Sequence, residues 1–122
     1  MSVNAVWFEI PSTNFTRAVT FYESMFQVSL KRENIGGEMA IFPAEENQAG
    51  GAIVEQQPGY APSATGAVVY LSGGADLTPL LGRVVSAGGK VVLPKTALPP
   101  GMGFFAHFED SEGNRVGLHS MG

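Results

Sequence analysis

The same succession of patterns runs twice along this chain, on either side of a stretch without period, Gln57-Pro58-Gly59-Tyr60-Ala61-Pro62-Ser63-Ala64-Thr65. In the first half Val6, Phe8 and Ile10 alternate with Ala5, Trp7 and Glu9, the period of a strand with two distinct faces. Ser12, Thr13 and Asn14 then offer helix-capping oxygens, and Phe15, Ala18, Val19, Phe21, Tyr22 and Met25 recur at helical spacing. Three shorter strand-like segments follow, near 27–33, 38–43 and 51–56. Past the Pro/Gly/Ser/Ala stretch the order returns. A strand is expected over 66–71, then a helix capped by Asp76 with Pro79 in its first turn and Gly88-Gly89 at its exit. Strands near 90–94, 103–109 and 114–120 complete it. The expected fold is therefore α+β: two βαβββ modules, about 1–57 and about 66–122, joined by a linker of about 58–65, whose curved mixed sheets enclose a shared cavity.

Composition narrows what such a fold can do. Charged residues are only 15% of the chain and the net charge is −4, with the seven basic residues scattered, so a nucleic-acid partner is not expected. The absence of cysteine excludes disulfides, thiolate metal sites and a cysteine nucleophile. No apolar run approaches the ~20 residues that span a bilayer, and the amino terminus lacks a signal-peptide pattern. No membrane partner is expected, and the expected location is cytoplasmic. Phosphate-loop, nucleophile-elbow and dinucleotide fingerprints are absent as well.

The segment Phe104-Phe105-Ala106-His107-Phe108-Glu109-Asp110-Ser111-Glu112-Gly113-Asn114-Arg115-Val116-Gly117-Leu118-His119-Ser120 reads as a hairpin around an Asp/Ser/Gly/Asn turn. It resembles the last hairpin of the vicinal-oxygen-chelate superfamily of glyoxalases, bleomycin and fosfomycin resistance proteins and extradiol dioxygenases. Glu9-Ile10-Pro11 with Arg17-Ala18-Val19-Thr20-Phe21-Tyr22 is similar to that superfamily's first strand and helix, and Ala87-Gly88-Gly89-Lys90-Val91-Val92 to its second helix exit. The chain looks most like the small glyoxalase-related proteins of unassigned function. The resemblance implies the two-module fold, homodimerisation, and a divalent ion held by side chains on the first and last strands of each module. Those positions fall on Trp7, Ile53, Val68 (with Ala67 one residue away) and Gly117, none of which binds a metal through its side chain. No cofactor is expected, although Glu9, Glu55 and His119 together offer a displaced divalent-metal site.

Residues two further along each strand share its face, which gives Glu9, Glu55, Tyr70 and His119. The resemblance adds His107 to the pocket wall, beside Phe105. Two functions suit this set. One is the binding of a small organic molecule between Trp7, Phe105 and Tyr70, oriented by Glu55, His119 and the other polar groups and covered by a lid over 94–103. The other is a lyase or isomerase in which Glu9 draws a proton from carbon next to a carbonyl and His107 or Tyr70 serves as the acid. Simpler readings stand beside these: Glu9 as the partner of Arg115 or Lys31, and His107 as a hydrogen-bonded core histidine.

Overall fold

The computed structural model describes all 122 residues. Strand β1 (Trp7–Ser12) leads to helix α1 (Phe15–Phe26) and to β2 (Lys31–Asn34), β3 (Glu38–Ile41) and β4 (Gly50–Glu55). The second module repeats the order as β5 (Tyr70–Ser72), α2 (Thr78–Ser86), β6 (Lys90–Ala97), β7 (Phe104–Glu109) and β8 (Arg115–Ser120). Each module forms a four-stranded mixed sheet, ordered β1-β4-β3-β2 and β5-β8-β7-β6, with the first and last strands parallel. The α+β class and the βαβββ repeat are as expected. The two sheets remain separate and do not close, so the face they present is open rather than an enclosed cavity.

Helix α1 forms where the apolar spacing places it. Asn14 caps it by accepting the Arg17 N–H at 3.0 Å, and Ala18, Val19, Phe21, Tyr22 and Met25 lie buried on one side. A helix of twelve residues is marginal in isolation, so burial of this face is what holds it. Helix α2 begins at Thr78, with Leu77 at the cap position. Asp76 still accepts the Thr78 N–H and hydroxyl from just outside it. Gly88, at φ +106°, ends the helix, and the Gly89 N–H returns to the Val84 carbonyl. The two helices pack on each other, and one core runs through both modules, joining Phe21, Tyr22 and Ile53 to Leu77, Phe108 and Leu118.

Several expected boundaries move. The segment near 27–33 begins pairing only at Lys31, because Gln27 turns left-handed (φ 55°) to end α1. The strand expected over 66–71 pairs only from Tyr70; upstream, the N–H groups of Arg115 and Gly117 on β8 go to the Ser63 and Val69 carbonyls. Strand β6 continues to Ala97 through Pro94, which an edge strand interrupted by bulges tolerates. The expected lid therefore shrinks to 98–103. This loop is closed by its own Leu98–Gly103 and Met102–Pro99 backbone bonds and held by the bond between His119 Nε2 and the Met102 carbonyl (2.7 Å).

Candidate functional site

In each module an aromatic ring on the first strand rests over a glycine on the last. Trp7 pairs with Gly50, where an added Cβ would stand 3.2 Å from the indole ring. Tyr70 pairs with Gly117, where an added Cβ would stand 2.5 Å from the phenol ring. Both aromatics remain open to solvent, Trp7 at 44% and Tyr70 at 50% exposure.

Gly117 also pairs with His107 on its other side, so Tyr70, Gly117 and His107 form one row across β5, β8 and β7. With no side chain between them, the Tyr70 hydroxyl reaches across β8 to His107 Nε2 (2.5 Å). His107 Nδ1 accepts from Arg115 Nε at 2.9 Å, and Phe105 sets its ring edge-on to the imidazole. Partial burial, followed by the Arg115 guanidinium, holds the imidazole below its usual 6.5. His107 is thus a partly buried, hydrogen-bonded histidine that links Arg115 to Tyr70.

Glu9 is organised separately. Its carboxylate accepts from the Trp7 indole N–H at 3.2 Å, and its proximity raises the pKa of the Tyr60 phenol. It pairs with neither Arg115 nor Lys31; Lys31 bridges to Glu33 instead. A pocket of about 180 Å³ between β1, the linker and β8 is lined by Glu9, Ala61, Ser63, Val69 and Arg115. On the other side of Glu9, a pocket of about 300 Å³ is lined with Glu38, Glu55, Gln57 and Tyr60. An apolar pocket of about 290 Å³ between Phe8, Phe26, Phe42 and Leu71 contains no titratable side chain.

The expected site therefore divides. Glu9 and Trp7 meet on module 1, with Glu55 on the rim of the pocket beside Glu9, while Tyr70, His107 and Phe105 gather on module 2, and the Glu9–Arg115 pocket lies between them. His119 lies opposite Phe105 on β8, with its Nε2 bonded to the Met102 carbonyl. Ile53, expected beside Trp7, pairs with Ile10 and lies in the core, and Glu55 is paired with Ser12, out of phase with Glu9. No three His, Asp or Glu side chains are grouped to hold a metal ion, so Glu9, Glu55 and His119 do not form the displaced site. The positions the resemblance assigns to a metal do not fit one either. The Tyr70 ring occupies the space a side chain at 117 would need, and Ile53 and Val68 carry no donor atoms. Sequence reasoning missed Tyr60, which lies in a segment without pattern, and the link from Arg115 to His107. The latter was legible in the hairpin, where Arg115 lies diagonally opposite His107.

Comparison with known proteins agrees with this fold. The family model described as the Glyoxalase/Bleomycin resistance protein/Dioxygenase superfamily matches residues 4–118. A glyoxalase-related enzyme from Fulvimarina pelagi superposes with a TM-score of 0.69 at 18% identity, covering 98% of this chain and 88% of that one. TnmS3, an antibiotic binding protein from Streptomyces sp. CB03234, superposes with a TM-score of 0.64 at 20% identity, covering 98% and 96%. A glyoxalase/bleomycin resistance protein from the same Streptomyces strain gives 0.66 at 20% identity, covering 96% and 100%. No curated protein matches the sequence.

Proposed function

The chain belongs to the glyoxalase/bleomycin resistance protein/dioxygenase superfamily, and we propose that it uses this fold to bind a small organic molecule across the face between β1 and β8. One observation carries the reading. Glu9 and Arg115 line the same pocket, yet neither forms an ion pair. Each instead bonds to a neutral partner, Glu9 to Trp7 and Arg115 to His107. A carboxylate and a guanidinium fixed in this way keep their charges available to a ligand.

The pocket of about 180 Å³ is smaller than a drug-sized site, so it suits one polar substituent, with the rest of the molecule against the open aromatics. Glu9 favours a cationic or hydrogen-bond-donating group there, and Trp7 supplies stacking area beside it. The likeness to TnmS3, described as antibiotic binding, supports ligand binding as the role. The reading includes a homodimer, in which a second copy covers the exposed Val6 and Val68 and narrows the open face.

Trp7 is the single tryptophan, so its indole N–H gives one unambiguous NMR resonance at the site. Titration with 2-naphthylmethylamine, a flat cation, is expected to shift that resonance saturably, and Glu9→Gln to weaken the binding at least tenfold. An indole that does not respond, or equal affinity in Glu9→Gln, overturns the reading. Sedimentation of the same samples reads the pairing, which a monomer with and without the probe would remove.

A further inference from the structure

The bonds around His107 fix where its proton lies. The Arg115 guanidinium has only donors, so its Nε–H donates and His107 Nδ1 must carry a lone pair. A neutral imidazole with Nδ1 unprotonated bears its hydrogen on Nε2, the atom that faces the Tyr70 hydroxyl. The imidazole is then the donor in that bond and the phenol oxygen the acceptor. Tyr70 keeps its own O–H proton, and no other protein group bonds to its hydroxyl.

We propose that the Tyr70 hydroxyl is the hydrogen-bond donor with which this face takes the oxygen of a carbonyl conjugated to a flat ring of the ligand. The proposal rests on the binding function argued above and names a chemical group for its module 2 side. Three observations converge on it. The phenol is half exposed, so its free proton faces solvent and not the core. The ring is seated over Gly117 and set edge-to-face against His107, with centroids 5.3 Å apart, so the donor is oriented before a ligand arrives. The guanidinium at the far end polarises the imidazole, which strengthens the phenol as a donor through the chain of bonds. A charged imidazole would turn an N–H toward Arg115 and break this arrangement, and partial burial together with that guanidinium disfavours it. Phe105 extends the aromatic surface on which the ligand ring would rest.

Two probes of the same ring system separate the donor from the stacking surface: 2-acetylnaphthalene, which carries an acceptor oxygen, and 2-ethylnaphthalene, which does not. With the Trp7 indole resonance as readout, the acetyl probe is expected to bind at least tenfold more tightly to the wild type. In Tyr70→Phe, which keeps the ring over Gly117, the two are expected to bind equally, at the level of the ethyl probe. Equal affinities in the wild type, or a preference that survives Tyr70→Phe, overturn the proposal while saturable binding of 2-naphthylmethylamine leaves the broader reading intact. Failure of all three probes overturns both. Nitrogen-15 spectra of the imidazole test the same point without any ligand. The Nε2–H tautomer is expected for His107, and the Nδ1–H tautomer would reverse the donor and remove the proposal.

Discussion

Gly117 decides whether Tyr70 and His107 meet. Side chains two strands apart in a sheet are separated by about 10 Å, and any side chain on the intervening strand would stand between them. Backbone geometry does not demand glycine here, because Gly117 is not among the glycines at positive φ. The three atoms nearest an added Cβ all belong to the Tyr70 ring, which is half exposed and would be displaced toward solvent. Gly117→Ala is therefore expected to fold with a stability change of no more than about 1 kcal/mol. It would nevertheless lose the Tyr70–His107 bond, seen as loss of the exchange-protected His107 Nε2 proton resonance. Gly103 provides the contrast. Its φ is +84°, and an added Cβ would lie 2.2 Å from the Ser120 carbonyl oxygen, backbone that cannot rotate away. Gly103→Ala is expected to lower the thermal midpoint strongly where Gly117→Ala barely moves it. Sequence reading reached Tyr70 by counting along the strand from Val68 and His107 through the family resemblance, and the register sets both on the face of Phe105. It failed at Ile53, since Gly51, Ala52, Ile53 and Val54 are all buried and an apolar run of that kind carries no phase.

The hairpin of β7 and β8 reaches into module 1, and its turn does more than reverse the chain. Glu112, with no exposed side-chain surface, accepts from the Thr13 and Asn14 N–H groups, the Thr13 hydroxyl and Arg17. It thereby neutralises the start of α1 from the opposite module. Behind it Asp110 accepts from the buried Tyr22 hydroxyl at 2.6 Å, and Asn114 donates to the Pro11 carbonyl. Burial alone would push the Glu112 carboxyl up, but the bonds from Arg17, Asn14, Ser111 and Thr13 outweigh it and hold the pKa at about 2. A folded value below the free value of 4.5 means the stabilisation is full above that pH and is lost as pH falls through about 2. Glu112→Gln is expected to cost about 1–2 kcal/mol at pH 7, the size of a helix-cap loss. In urea melts the gap between the two proteins should close progressively below pH 4.5; a gap independent of pH would mean the charge is immaterial. Burial raises Asp110 in both proteins, so its opposite titration cancels in the difference. The turn itself was legible from Asp110, Gly113 and Asn114, but its second role was not. Nothing local marks a bond that spans ninety-eight positions in sequence.

The two halves of the duplicated chain, joined by the Pro/Gly/Ser/Ala linker, pack on one another. Phe108 of module 2 is fully buried against Phe21 and Tyr22 of module 1, with ring centroids 6.0 and 6.3 Å apart. Arg83 on α2 donates to the Met25 carbonyl at the end of α1, and Gly89 lies so close to Phe21 that a Cβ there would be 2.7 Å from its ring. The face that carries Glu9 and the face that carries Arg115 are thus held at a set distance by a core on the opposite side of both sheets. Neither module buries that core alone, so unfolding should be a single transition in which both lose protection together. Phe108→Ala tests this directly, because it removes a fully buried ring at an expected cost of about 3–5 kcal/mol. If the core is shared, amide exchange should accelerate in α1 as much as in β7, and the Trp7 indole resonance should follow the same denaturation midpoint as the β8 amides. Acceleration confined to 66–122, with α1 and Trp7 unchanged, would instead describe two independent modules, and a pocket between them would have no fixed geometry with which to select a ligand.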